Sequence, residues 1–253
     1  MTPAAWVLLA SFLLASFALA QAPFSPPRLP DGHPDLQGVW LSGNLAPAFN
    51  IEDHPASYGT PAGRTAVIDS IDGKLPYLPA AREKAKDNAA HRERDPVGHC
   101  NMHGVPRGIY TPFPVEIVQD SGYVVILYET EHDVRIIPTD GRPHLKNYSS
   151  WEGDSRGRWE GDTLIVDVTG FNGKTWLDQA GNFVDENEHV TERFTFSGPD
   201  TITYEATVED PTVYSRPWTL RVPLKRRPKD VELLEYGCIE GERDAGHYPG
   251  QSK

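Results

Sequence analysis

Thr201-Ile202-Thr203-Tyr204-Glu205-Ala206-Thr207-Val208-Glu209 alternates polar and apolar residues along its whole length. In an extended chain Ile202, Tyr204, Ala206 and Val208 lie on one face, and the threonines and glutamates lie on the other. A period of two residues predicts a β-strand with one buried face. This segment therefore predicts a β fold for the second half of the chain.

Further short strands are predicted on both sides of this segment, with turn residues such as Asp120-Ser121-Gly122 and Glu160-Gly161-Asp162 between them. Consecutive strands joined by tight turns favour an antiparallel meander, and about nine strands can close into a barrel without exposed edges. The predicted fold is a mainly β barrel, and the alternative is a β-sandwich. The predicted strands are 115–119, 123–129, 134–138, 156–159, 163–169, 190–196, 201–209, 218–224 and 232–236.

One surface helix is predicted over residues 79–94, which read PAAREKAKDNAAHRER. Pro79 suits the first turn of a helix, and Ala, Arg, Glu and Lys are strong helix formers. Because nearly all of these residues are polar or Ala, the helix is expected to lie on the surface. Residues 43–78 contain many Gly and Pro without a period, so they are expected to be irregular.

Residues 1–20 are predicted to be a signal peptide. The run 4–19 is apolar or small, and Ala18-Leu19-Ala20 fits the rule for the cleavage site. The run is too short to favour a permanent transmembrane helix, and no later segment is apolar enough to span a bilayer. We therefore expect a secreted or periplasmic protein with a Pro-rich extended arm at 21–35, a single barrel domain at 36–253, and no integral membrane segment after signal removal.

The net charge restricts the possible classes of binding partner, and the two cysteines are interpreted from the predicted compartment. The formal net charge of −12 disfavours a nucleic-acid partner, because phosphate binding requires a basic face. In an exported chain, Cys100 and Cys238 are best explained by one disulfide bond. The alternative is a metal-binding or nucleophilic thiol. We predict no metal site and no cofactor.

The stretch Gly157-Arg158-Trp159-Glu160-Gly161-Asp162-Thr163-Leu164-Ile165-Val166-Asp167 resembles a motif of a large, uncharacterised family of exported bacterial proteins. The resemblance covers nearly the whole mature chain and implies no activity. A His can stand at the place of Asp154 in that family. A second resemblance, carried by Gly38-Val39-Trp40, is to lipocalin-like β-barrels, and it implies a cup that holds one small organic molecule.

A candidate site is predicted around the polar block at 154–159 and the strand at 189–193. His189 and Asp154 could act as a general acid–base pair, because His titrates near neutral pH and a carboxylate can fix its tautomer. Glu192 shares a face with apolar residues, so it must be paired or functional. The alternative is that these residues form turns and salt bridges at the barrel rim. The predicted catalytic residues are His189, Asp154 and Glu192, and the predicted ligand-binding residues are Arg156, Arg158, Arg193, Trp159, Trp176 and His144.

Three functions are compatible with these patterns. The first is an exported barrel that binds a small organic molecule, because the chain combines a strand meander with many aromatic residues. The second is a cofactor-free lyase, isomerase or hydrolase, in which Arg158 and Arg193 would hold a carboxylate or phosphate by bidentate hydrogen bonds. The third is an interaction module of the cell envelope, which would have an exposed apolar patch instead of a pocket.

Overall fold

Nine antiparallel strands form one barrel-shaped, nearly closed sheet in the computed structural model, which describes residues 24–56, 61–131 and 133–238. The prediction of a mainly β fold with an antiparallel barrel is confirmed. The predicted signal peptide at 1–20 lies outside the described residues. The strands are β1 (Gly38–Ser42), β2 (Val115–Asp120), β3 (Tyr123–Tyr128), β4 (Val134–Pro138), β5 (Asp154–Glu160), β6 (Thr163–Thr169), β7 (His189–Gly198), β8 (Thr201–Glu209) and β9 (Trp218–Arg226).

The open seam of the barrel lies between β4 and β5. The order β4-β3-β2-β1-β9-β8-β7-β6-β5 pairs the first strand with the last and leaves β4 and β5 at the two edges. Because every pair in this order is antiparallel, the two edge strands run in the same direction. Gly157 of β5 allows them to approach closely, since a side chain there would lie 3.0 Å from Ile137 of β4.

The two ends of the barrel differ. Tight turns after β2, β5 and β7 lie at one end, which we call the turn end, together with the described part of the N-terminal arm. The long connections 43–114, 170–188 and 210–217 lie at the other end, which we call the loop end. The connection 139–153 joins two strands that run in the same direction, so it must return along the outside of the barrel.

Two α-helices occur in the described residues, α1 (Ala46–Phe49) and α2 (Pro79–Ala90). The predicted helix 79–94 is confirmed, although its α-helical part ends at Ala90 and a 3₁₀ turn follows at Arg92–Arg94. No helix of the described residues is long and apolar enough to cross a membrane. The predicted irregularity of 43–78 is also observed, apart from α1.

The predicted strand at 232–236 is wrong. These residues form no strand, because β1 already pairs with β9 and leaves no free edge beside it. The same C-terminal segment carries Cys238, which is bonded to Cys100 as predicted, across a sequence separation of 138. The bond attaches the chain after the barrel to the long connection before β2.

The inside of the barrel is filled by large side chains, and a buried segment covers its loop end. Trp40, Trp218, Tyr204 and Phe194 have no exposed surface. Residues 103–111 are all buried, and a 3₁₀ turn at Arg107–Tyr110 is packed against the sheet. A side chain at Gly108 would lie 2.7 Å from the ring of Tyr128, so glycine is needed for this close packing.

Candidate functional site at the loop end of the barrel

Glu192 points into the barrel, where it is fully buried and paired. Arg135 of β4 contacts both of its carboxylate oxygens, one of them at 3.0 Å. The hydroxyl of Tyr204 donates to Oε1 of Glu192 at 2.7 Å. Alternation along β7 thus placed Glu192 correctly, and the partner comes from the far edge of the sheet rather than from a neighbouring strand.

The pair also connects the two edges of the seam. Nε of Arg135 donates to Oγ of Ser155 on β5 at 2.9 Å. Burial is the largest single effect and lowers the pKa of Arg135, but the charge and hydrogen bonds of Glu192, together with the charges of Tyr128 and Glu152, raise the pKa above its usual value. The guanidinium therefore stays charged inside the barrel and closes the seam by side-chain contacts.

Four carboxyl groups surround the interior at the loop end. They belong to residues within two positions of a strand end, and all four carboxyl groups are buried. Because neighbouring strand ends meet at one rim of a barrel, the fold brings these side chains together although they are far apart in the sequence. The four residues are Asp133 before β4, Glu152 before β5, Glu188 before β7 and Asp210 after β8. We call them the acidic ring.

Asp133 and Glu152 lie close enough for their charges to interact. Oε1 of Glu152 accepts from the amide of Gly104 at 2.9 Å, whereas Oε2 is buried and accepts no hydrogen bond from the described residues. Two neighbouring like charges disfavour the ionisation of both groups. Burial raises the pKa of Glu152 well above its usual value, and the charge of Asp133 raises it further, against a smaller opposing effect of Arg135.

Glu188 has no such partner. Its side chain is buried, and neither carboxyl oxygen accepts a hydrogen bond from the described part of the chain. Burial raises the pKa of Glu188 well above its usual value, and the charges of Asp210 and Glu152 raise it further. The Tyr128 hydroxyl and the indole nitrogen of Trp218 are also buried at this end without a partner in the described residues. Native proteins rarely leave such groups unsatisfied, so water, a proton or a ligand is expected there.

An outer cleft of about 380 Å³ lies at the loop end, on the solvent side of the segment 103–111. His103 and Arg107 line it, together with Gln179 and the disulfide residue Cys238. His103 directly precedes Gly104, whose amide donates to Glu152. The cleft is therefore separated from the ring by the buried segment 103–111.

Ion pairs fix the walls of this cleft. Arg107 forms a buried bidentate pair with Asp95, with N to O distances of 2.7 and 2.6 Å. Nδ1 of His103 lies 2.8 Å from Oε2 of Glu131. Glu131 has a φ of 55°, a left-handed conformation that is unfavourable for this residue type and is retained only where its surroundings require it. The cleft wall is thus held in place by the Arg107–Asp95 ion pair and the His103–Glu131 contact.

The predicted acid–base residues meet on the outer surface of the barrel. Asp167, which sequence analysis did not select, accepts from Nε2 of His189 and Nε2 of His144, each at 2.7 Å. Nδ1 of His144 lies 2.9 Å from Asp154, which also accepts from Arg156 at 2.7 Å. The structure therefore brings together His189, Asp154, His144 and Arg156, but it places them on the opposite side of the sheet from Glu192.

This outer cluster fastens the connection 139–153 to the sheet. Asp154 accepts from the backbone amide of Leu145 at 2.8 Å, and Arg156 donates to the carbonyl of Pro143 at 2.9 Å. Both nitrogens of His144 face carboxylates, which only accept, so only the doubly protonated ring can donate to both. Burial raises the pKa of Asp167, but the hydrogen bonds from His189 and His144 outweigh burial and leave the pKa below its usual value.

Arg158 and Arg193 hold a carboxylate of the protein itself. Both contact Glu160, Arg158 at 2.8 Å and Arg193 at 3.9 Å, and all three side chains are about half exposed. In the strand register, Arg158 of β5 and Arg193 of β7 lie on either side of Ile165 of β6. The side chain of Ile165 faces outward but is fully buried. Long arginine stems commonly cover apolar surface in this way. Both arginines thus contact Glu160 on the outer surface of the barrel.

The predicted aromatic ligand contacts lie at opposite ends of the molecule. Trp159 stacks on His33 of the N-terminal arm, with ring centroids 4.8 Å apart. Trp176 is buried at the loop end, where its carbonyl accepts from Arg107 at 3.4 Å. Among the described residues, no group of three or more His, Cys, Asp or Glu side chains is arranged to hold a metal ion.

Sequence reasoning missed Arg135, Glu152, Glu188 and Asp167. A signal existed for Glu188, because it extends the inward series of Val190 and Glu192 by one step. Arg135 alternates with two aliphatic residues that turn out to face solvent, so β4 shows the reverse of the expected pattern. Glu152 lies in an irregular connection, where no period indicates direction.

Comparisons with known proteins assign no family. No protein-family model matches this sequence, and no curated protein is significantly similar to it.

Proposed function

We propose that this protein is an exported, secreted or periplasmic β-barrel that binds a small molecule at the acidic ring. The observation that carries the proposal is Glu188, a buried carboxyl group with two oxygens that no described residue contacts by a hydrogen bond. Burying such a group costs free energy, which a bound partner recovers. The buried and unpartnered hydroxyl of Tyr128 supports the same location.

The barrel suits this role because its rigid strands fix the polar groups before a ligand arrives. Small barrels can hold one small ligand that is contacted by a few polar groups among apolar ones, and here the segment 103–111 would cover the ligand. The outer cleft lined by His103 and Arg107 lies on the other side of the segment 103–111, so a ligand would reach the ring only if this segment moved. The disulfide between Cys100 and Cys238 is compatible with an oxidising compartment outside the cytoplasm, in agreement with the predicted signal peptide.

The proposal is tested by the thermal unfolding of the mature chain with a panel of small alcohols, sugars, amines and carboxylic acids. A compound that binds the folded state raises the unfolding midpoint. We expect at least one compound to raise it, and the increase to be lost in Glu188→Gln but kept in the surface control Arg158→Ala. The proposal is wrong if no compound acts, or if Glu188→Gln responds like the wild type.

A further inference from the structure

We propose that the ligand of the acidic ring is a small organic ammonium ion, an inference that rests on the proposed function and names its ligand class. The first argument is charge. Four carboxyl groups surround the site, and the two buried arginines nearest to it are already engaged. Arg135 is bound to Glu192, and Arg107 is bound to Asp95. An anionic ligand would therefore meet acids without a free cation, whereas a bound cation would supply the counter-charge that allows Glu188 to lose its proton at neutral pH.

The second argument is the balance of hydrogen-bond donors and acceptors. An ionised carboxylate only accepts hydrogen bonds, so both unpartnered oxygens of Glu188 require donors. A primary ammonium group carries three donors, which is enough for both oxygens, whereas an alcohol carries one. The hydroxyl of Tyr128, which lies near Glu152 and Asp133 of the same ring, can also accept a hydrogen bond.

The third argument is the aromatic environment of the acid. Tyr110 and Tyr214 lie close enough to Glu188 for its charge to act on both phenols, and the ring of Trp218 packs edge-on against Tyr214 with centroids 5.5 Å apart. Aromatic faces attract organic cations, and the attraction is stronger where water is excluded. A buried carboxylate beside aromatic rings is the chemistry that recognises an ammonium group.

Three probes of matched size test the class of ligand: propylammonium, 1-propanol and propionate. Their binding to the mature chain is measured by isothermal titration calorimetry at neutral pH. We expect propylammonium to bind most tightly. Glu188→Gln removes the charge but keeps the shape, and it should weaken binding about tenfold or more. Tyr128→Phe provides a second, milder change in case Glu188→Gln folds poorly, and Arg158→Ala should bind like the wild type.

The outcomes separate this inference from the proposed function. If 1-propanol or propionate binds as tightly as propylammonium, the ammonium class is wrong while the site itself remains. If none of the three probes binds, or if Glu188→Gln and Tyr128→Phe both bind propylammonium like the wild type, the ammonium inference is also wrong. The proposed function fails only if the wider panel gives no stabilisation that depends on Glu188.

Discussion

Arg135 and Glu192 face each other inside the barrel from strands that are not neighbours in the sheet, and their side chains form a fully buried bidentate pair. The same guanidinium donates to Ser155 across the seam. A sheet whose edges share no backbone hydrogen bonds is thus joined by one arginine. Because of this contact, β4 is joined to β5 and is not a free sheet edge.

The first prediction concerns this pair. Glu192→Leu leaves the Arg135 guanidinium buried without a counter-charge, so we expect the free energy of unfolding to fall by about 3–5 kcal/mol. Arg135→Met combined with Glu192→Leu should recover much of that loss, because neither charge then remains buried. Denaturant titration measures both. The exposed control Lys86→Ala, which breaks the surface pair with Glu83, should change stability by about 1 kcal/mol at most. A double variant as unstable as the single one would contradict this account of the pair.

The second prediction concerns pH and Glu188. A carboxyl group with a raised pKa in the folded state holds its proton more tightly there than in the unfolded chain. The folded state is therefore favoured at low pH, and stability falls as the pH rises above the usual Glu value of 4.5. Glu188→Gln cannot ionise, so it should be more stable than the wild type at high pH, by about 1–3 kcal/mol.

The measurement must separate Glu188 from Asp178, another buried acid whose pKa is raised by burial to about 6. Glu188→Gln and the wild type are therefore compared by denaturant titration at several pH values above and below this one. Asp178→Asn provides the matched control. Its effect on the free energy of unfolding should stop changing with pH above the pKa of Asp178. Equal pH slopes for Glu188→Gln and the wild type would show that Glu188 does not titrate in this range.

The third prediction concerns the outer cluster. Because the folded pKa of Asp167 lies below its usual value of 3.8, its contribution to stability is present above that value and is lost as the pH falls through the folded pKa. Asp167→Asn removes the carboxylate that both His144 and His189 contact. We expect hydrogen exchange of the Leu145 amide to become faster in this variant.

A control for that experiment lies in the same connection. Asp140→Asn disrupts an exposed pair with Arg142, which is local to the chain, so exchange at Leu145 should stay close to the wild-type rate. If Asp140→Asn and Asp167→Asn accelerate exchange equally, the outer cluster does not fasten this connection.

The fourth prediction concerns the disulfide. Cys100→Ser combined with Cys238→Ser opens a loop closed across a separation of 138 residues, and we expect the free energy of unfolding to fall by roughly 4–5 kcal/mol in the chain-entropy model. Thermal and denaturant unfolding of the double variant measure the change. A fall well below 1 kcal/mol would show that contacts around Tyr236 and Phe113, whose ring centroids are 5.3 Å apart, hold the C-terminal segment without the bond.

Local alternation was sufficient to predict most strands and the direction of Glu192, because side-chain direction in a strand depends only on sequence parity. It failed for β4, where Val134 and Ile136 face solvent and Arg135 faces the interior. Hydrophobicity alone predicts that Val134 and Ile136 face the interior and that Arg135 faces solvent. The guanidinium can be buried only because Glu192 on β7 pairs with it. That partner is 57 residues away in the sequence.

The candidate site was only partly predictable. Asp154, His144 and His189 were selected by residue type, and they do meet, but through Asp167 and on the outer surface. The acidic ring depends on where four strands end and on which way irregular residues such as Glu152 turn. Those features are set by the closure of the barrel, so no single segment of sequence contains them.

The central claim is that the carboxyl group of Glu188 has a bound small molecule other than water as its partner. An atomic-resolution crystal structure of the mature chain, grown with propylammonium, tests it most directly. We predict ordered density for a non-protein molecule within hydrogen-bond distance of the Glu188 carboxyl group. A carboxyl group satisfied by protein atoms or by water alone would contradict the claim.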